Sequence, residues 1–354
     1  MKKTLKLIAI LLVIVMIGGM AASCSNSSNN DQQGSSSTSS GFLLPGGKDI
    51  YNDPIKIGVL SMSTAGVINR IFQLGINNQL REYPNITVTY WDAEYDPNRQ
   101  ITLMQEAITQ DYDAVILEAM SPVALNDVIT EAEDNGIVVL TVSASTPSTV
   151  YTMHFKGSDY SSGWACGEMA DEATGGEGTA LILDCPAGFK ETARMGTGFQ
   201  EYVEKNTNIK ILEVIGIEDW SPNNSQTAMR DMLVKYGPGE ITHIYCASDD
   251  IASGAINAIA AAGRESDGIL IWGMMGQPAG LEGVRDGTMA GTMWSDVYTQ
   301  YAVMFYYALF CIMTGFNSRV AGYTETPELD QPLLPVTTDN VLDIMGVSRY
   351  YGNH

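Results

Sequence analysis

Apolar runs that fail to alternate with polar residues recur through this 354-residue chain, and each leads through a polar turn into a stretch with helical spacing. A strand with one wet face alternates; a strand covered on both faces does not, so such runs call for a parallel sheet with helices on either side. The first series reads IKIGVLS (55–61), a helix over Val67–Arg81, ITVTYWD (86–92), a helix over Pro97–Gln110, DAVILEA (113–119), a helix over Val123–Asn135 closed by Gly136, and IVVLTVS (137–143). Proline is suited to a helix's first turn and glycine to its end. After VYTMHF (150–155) the series restarts: a helix over Asp159–Ala173, GTALILD (178–184), a helix over Lys190–Lys205, IKILEVIGI (209–217), a helix over Pro222–Tyr236, and ITHIYCA (241–247). The helix of 251–260, the strand GILIWGM (268–274), a helix over Pro278–Arg285, a short strand over Ala290–Met293 and a long apolar helix over Tyr298–Met313 complete it. The fold class is α/β, with two doubly wound parallel-sheet lobes of similar size.

The stretch His243–Gly263 shows the unit most plainly. Ile244–Ala247 is a short buried strand, Ser248-Asp249-Asp250 a turn, and Ile251, Ala255, Ile256, Ile259 and Ala260 fall at helical spacing. Ser248 and Asp249 stand where an oxygen can accept the helix's first unpaired N–H groups. Sheets of this kind bind ligands beyond the carboxyl ends of their strands. The long helix is short for a membrane span of roughly 20 residues, and Asp296, Thr299-Gln300 and Thr314-Gly315 bound it, so it reads as a buried helix packed on a sheet.

The N-terminus carries an address. Lys2, Lys3 and Lys6 precede an apolar run from Leu7 to Ile17, followed by small residues, the layout of a secretory signal peptide over 1–23. Ala21-Ala22-Ser23-Cys24 resembles a bacterial lipoprotein box, which implies a lipid on Cys24. Ser25–Gly47 is rich in Ser, Asn, Gln and Gly and cannot bury a core, so 24–49 is expected to be a flexible, lipid-anchored tether. The net charge of −22 argues against nucleic acid or anionic lipid as a partner. Cys166, Cys185, Cys246 and Cys311 lack metal-like or redox-like spacing and read as buried thiols, while an exported chain leaves a disulfide open. His154, His243 and His354 are scattered, so no metal and no cofactor are expected.

Several ordered pieces resemble the type I periplasmic binding proteins of the ribose, galactose and autoinducer kind. These are IKIGVLSMS, YWDAEYDPNRQITLMQEAITQDYDAVIL, ARMGTGFQEYV, CASDDIASGAINAI, GMMGQPAGLEGVRDGTMAGTM and PVTTDNV, spread over about Ile55–Asn340. The resemblance implies two lobes joined by three crossovers, about 50–157 plus 296–325 and 158–295 plus 326–354. It also implies a monomer that clamps a sugar-like ligand by hinge closure and docks on the membrane permease of an ABC importer.

Strand ends facing the cleft are then the candidate ligand-binding positions. In the first lobe these are Ser61, Ser63 and Thr64, Glu118 with Met120, and Ser143 with Ser145; in the second, Phe189-Lys190, Trp220, Ser248-Asp249, Met274-Met275 and Trp294 with Ser295. Trp220 falls where ribose-type members carry a stacking ring; its other reading is a tryptophan buried beside the sheet. Asp249 reads first as the anchor of its turn and then as a ligand contact, with Ser248 facing the ligand in place of the family's asparagine. The family's Asp-Arg pair is here Ser143-Ala144, its Phe-Asp pair Met274-Met275, and its arginine before the "G-x-G-F" helix Met195. Lys190, Arg194 and Glu118 restore charge from shifted positions or simply face solvent. The departures point away from a ribose-like ligand with many hydroxyls and leave open a deoxysugar, a furanose derivative or a nucleoside-like molecule.

Other functions fit less well. The same fold serves as a sensory module for a membrane kinase or chemotaxis receptor, which sequence does not separate from import. No Ser/His/Asp array, phosphate loop or His/Cys cluster suggests an enzyme. A transcription-factor core of this fold is disfavoured by the signal peptide and by the missing helix-turn-helix.

Overall fold

The computed structural model describes residues 46–348, apart from 66, 122, 144, 146–148, 158, 159, 186–189 and 332. The signal and lipobox segment and Phe189 lie outside the described residues.

Two six-stranded sheets carry the chain. The first contains β1 (Ile55–Ser61), β2 (Ile86–Asp92), β3 (Ala114–Ala119), β4 (Val138–Ser143) and β5 (Met153–Lys156), with β11 (Glu328–Asp330) at its edge. The second contains β6 (Thr179–Asp184), β7 (Lys210–Gly216), β8 (His243–Cys246), β9 (Leu270–Met275) and β10 (Gly291–Trp294), with β12 (Leu334–Val336) at its edge. The orders are β11-β5-β4-β3-β1-β2 and β12-β10-β9-β8-β6-β7, so the lobes repeat one another strand for strand. All pairings are parallel except β10 with β12.

Ten helices among the described residues connect the strands. They are α1 (Val67–Leu80), α2 (Pro97–Thr109), α3 (Asn126–Asp134), α4 (Tyr160–Thr174), α5 (Lys190–Asn206), α6 (Pro222–Lys235), α7 (Asp249–Ala261), α8 (Pro278–Asp286), α9 (Val297–Thr314) and α10 (Val341–Val347). The missing alternation has the expected cause. On β3, Ile116 packs with Ile71, Phe72 and Phe305 on one face, while Val115 and Leu117 pack with Met104, Val128 and Ile129 on the other. The second sheet is sandwiched in the same way around Leu181, Ile182, Ile244 and Trp272.

Helix α9 is apolar enough and long enough to cross a membrane by length and composition. It is spent instead on the first lobe's core, where Tyr301, Met304, Phe305 and Leu309 are buried with β1, β3 and β4. Helices α4 and α5 cross so closely that a Cβ on Gly163 would strike the carbonyl of Met195, and one on Gly198 that of Tyr160. This contact explains the glycine of the "G-x-G-F" segment as a packing residue. All four described thiols are buried, and none is joined in a disulfide.

Two boundaries differ from the sequence reading. Residues 48 and 49, assigned to the tether, are docked: Lys48 donates its N–H to Ile312 and pairs with Asp113 at 2.5 Å. Strand β11 pairs with β5 in the first sheet, although residues from 326 onward were assigned to the second lobe. Its three residues carry no periodic signal, so only the pairing reveals it.

Candidate functional site

In both sheets the strand order reverses beside the first strand, between β1 and β3 and between β6 and β8. Loops leaving neighbouring strands there part in opposite directions and open a crevice at the carboxyl ends. The crevices of the two lobes face one another, and a cavity of about 660 Å³ lies between them.

Glu118 comes from the end of β3. Its Oε2 accepts from the Met62 N–H at 3.0 Å, which ties it to the loop after β1. Burial pushes its carboxyl up to about 7, against that single hydrogen bond. Asn69, on the first turn of α1, is 7% exposed; its Nδ2 donates to Ala65 O at 2.9 Å, and its Oδ1 is buried with no partner. Ser63 also lines the cavity, its Oγ accepting from Ala65 N at 3.2 Å.

Two aromatic residues meet across the cleft. Tyr95 follows β2 and Trp220 follows β7, and their rings stack with centroids 6.3 Å apart and planes 30° apart. The turns that carry them share one construction. Glu94 and Tyr95 lie at φ 52° and 56°, Asp219 and Trp220 at φ 57° and 47°. Each pair leads into a cap, Asp96 or Ser221, and then a proline at the start of a helix. Left-handed backbone costs a non-glycine residue roughly 1–2 kcal/mol, so four such residues at one cleft mark a built feature. The Tyr95 N–H donates to Met62 O at 2.8 Å, and Asp92 accepts from Glu94 N–H and Thr64 Oγ1, holding the first turn in place.

From the second lobe, Ser248 lines the cavity and caps α7, its Oγ accepting from Ile251 N at 3.2 Å. The cap therefore belongs to Ser248, and Asp249 reaches sideways. Asp249 is wholly buried, accepting from Thr292 Oγ1 at 2.7 Å and Gln277 N at 2.6 Å, and it pins the β9–α8 turn. Burial pushes its carboxyl up to about 8 while those bonds hold it down. A Cβ on Gly273 or Gly280 would collide with it. Asp249 does not line the cavity.

The two methionines at the end of β9 part company. Met274 is buried in the second lobe's core; Met275, at φ 88°, lines the cavity and packs against both lobes' cores. Trp294 likewise packs inward over Gly276, and the next residue, Ser295, lines the cavity. Ser61 and Thr64 lie nearby without lining it, Thr64 Oγ1 being engaged with Asp92 at 2.5 Å. Ser145 is off the lining, and Arg194 is exposed on α5, while its neighbour Met195 is buried and lines the cavity. For Ser143 and Lys190 the backbone is described, as the ends of β4 and α5, but not the side chain.

Sequence reasoning passed over Tyr95, Asn69, Gln300 and Tyr301. Tyr95 had a signal: Glu94-Tyr95-Asp96-Pro97 and Asp219-Trp220-Ser221-Pro222 share an acid–aromatic–cap–proline pattern. Gln300 and Tyr301 had none, because α9 reads simply as an apolar core helix. No group of His, Cys, Asp and Glu among the described residues is placed to hold a metal ion.

Two wound lobes thus face one another over a cleft lined by aromatic and polar side chains from both. The chain belongs to the periplasmic binding protein domain family, whose model matches residues 57–311. A xylitol-binding protein from Mycolicibacterium smegmatis is 27% identical over 208 residues, 59% of this chain and 58% of its own length. The chain thus spans under two thirds of that curated relative. Among solved structures, an ABC transporter solute binding protein from Bacillus halodurans C-125 with bound myo-inositol superposes with TM-score 0.70 at 20% identity, covering 83% of this chain and 98% of its own. The fructose binding periplasmic domain of a hybrid two component system gives TM-score 0.71 at 22% identity, covering 82% and 93%.

Proposed function

We propose that this chain is an extracytoplasmic solute-binding protein that captures a sugar-like small molecule between its lobes and delivers it to the membrane permease of an ABC importer. The observation that carries this reading is the cavity of about 660 Å³ lined from both lobes, with the Tyr95–Trp220 pair across it. Its size suits a small molecule. Ring faces cover C–H surface, and Ser63, Ser248, Ser295 and Gln300 offer hydrogen bonds to hydroxyls. The chain passes between sheets after β5, after β10 and between β11 and β12. Three such crossings make a hinge, and ligand shifts the population toward the closed form by touching both lobes at once. The work is binding, not bond-making.

Cys24 is the proposed lipid attachment site, with the segment after it as tether to the outer face of the cell membrane. Cys24→Ala should release the protein from the membrane fraction; retention of the variant there contradicts the anchor.

A thermal-shift screen over monosaccharides, alditols, cyclitols and nucleosides tests the main reading. Ligand at 100 times its Kd should stabilise the protein by about 2.7 kcal/mol; a flat response to the whole panel contradicts it. A second reading, a sensory domain, draws on the likeness to the two component system domain. Ligand-dependent stimulation of a permease's ATP hydrolysis by the loaded protein favours import; ligand-dependent binding to a membrane kinase in its place favours sensing.

A further inference from the structure

The cavity is acceptor-rich. Glu118, Asp219 and Asp250 line it, and among the described lining residues there is no lysine, arginine or histidine. Asp219 and Asp250 are exposed at the rim, where salt screens them. Glu118 is inside, and its one hydrogen bond, from the Met62 N–H, leaves most of the carboxylate's accepting capacity unused. Asn69 also lines the cavity, but its Nδ2 donates to Ala65 O and its Oδ1 is buried away from the open space, so the demand for a donor rests on Glu118. The faces of Trp220 and Tyr95 attract positive charge through their quadrupoles.

A neutral sugar can donate hydroxyls to Glu118 but brings more acceptors than donors and no countercharge. An acidic sugar adds a like charge. An ammonium group brings three donors and no acceptor, together with the countercharge. We propose that the cleft selects a sugar-like polyol carrying an amino group, with Glu118 as its charge partner. The proposal rests on the reading of the cleft as a sugar site and names the ligand class for it.

The test is calorimetric titration of the purified chain at pH 7 with matched triples: an alditol, its amino-deoxy derivative and the corresponding aldonic acid; then a hexose, its amino-deoxy derivative and the uronic acid. In at least one triple the amino member should bind at least about tenfold tighter than the neutral one, the gain expected when a neutral contact becomes a charge-assisted one, and the acid should not bind. In Glu118→Gln the amino and neutral members should come within about twofold of each other, since the charge partner is gone while the shape stays. A neutral member that binds as tightly as the amino one overturns the amino-group assignment alone and leaves the sugar reading standing. A preference that survives Glu118→Gln overturns the role of Glu118. Absence of binding by every member of both triples overturns the assignment together with the sugar reading. The ranking within each triple is read on the unaltered protein, so it stands even if the variant folds poorly.

Discussion

Replacing Trp220 separates two accounts of that residue. If its ring is a wall of the binding cavity, truncation removes a ligand-facing surface and the stack on Tyr95. Covering about 60–80 Å² of ring on ligand capture is worth about 1.5–2 kcal/mol at roughly 25 cal/mol per Å². The ring–ring contact adds about 0.5–1.5 kcal/mol. The total of about 2–3.5 kcal/mol corresponds to a loss of affinity of roughly 30- to 300-fold. The ligand-free protein should behave differently. Trp220 sits at φ 47° beside Asp219 at φ 57°. In Trp220→Gly the backbone penalty of about 1–2 kcal/mol for a left-handed non-glycine residue disappears, so the melting temperature should hold or rise slightly while affinity falls. Trp220→Ala keeps the strain and should melt at or below the wild-type temperature. The assay is a pair of measurements on each variant, thermal unfolding without ligand and calorimetric titration with whichever sugar stabilises the wild type. A core tryptophan would give the opposite pattern, losing about 3–5 kcal/mol of stability. Affinity within twofold of wild type, or a collapse in stability of that size, would refute the cavity-wall account.

Three further outcomes follow from the geometry. Glu118 and Glu133 are both raised to about 7 by burial, and Asp249 to about 8. A folded-state carboxyl pKa above its unfolded value means that the native state binds more protons, so stability falls as pH rises from the unfolded range near 4–4.5 up through 7–8. Chemical denaturation of the ligand-free protein should therefore give a higher unfolding free energy at pH 5 than at pH 8, with a smaller difference in Glu118→Gln; equal values at the two pH points would contradict this. Gly280→Ala drives a Cβ into the Asp249 carboxyl, and overpacking of this kind should cost about 1–3 kcal/mol or more, read as a fall in melting temperature that Glu282→Ala on the same helix does not show. Ser248→Ala removes the α7 cap, which should cost about 1 kcal/mol of stability and weaken ligand binding as well, since Ser248 also lines the cavity; a variant with unchanged stability would argue against the capping bond.

The architecture was readable because the signals that set it are local and strong. Non-alternating strands demand cover on both faces, and Pro97, Pro222 and Pro278 open helices at the positions they mark. The edge strand Glu328–Asp330 and helix α10 were not readable, because three residues or a two-turn helix depend on their neighbours rather than on a period of their own. The site was half legible. Strand ends locate the crevice, but successive residues on a strand face opposite ways, so of Met274 and Met275, or Trp294 and Ser295, one of each pair reaches the cavity and sequence alone does not say which. At Met275 a φ of 88° decides it, a backbone property that no side chain announces. Asn69, Gln300 and Tyr301 are legible only once α1 and α9 are docked, because the cavity is made by the meeting of elements far apart in the chain.

The central claim is that a sugar-like molecule occupies the cleft between the lobes. Native mass spectrometry of the protein isolated without denaturation from its own cells tests it most directly. We expect a one-to-one adduct of a small polyhydroxylated mass on the wild type, lost on mild activation and absent from Trp220→Ala with Glu118→Ala. A wild-type protein that carries no adduct even after incubation with cell extract, or an adduct that persists undiminished in that double variant, would contradict the account.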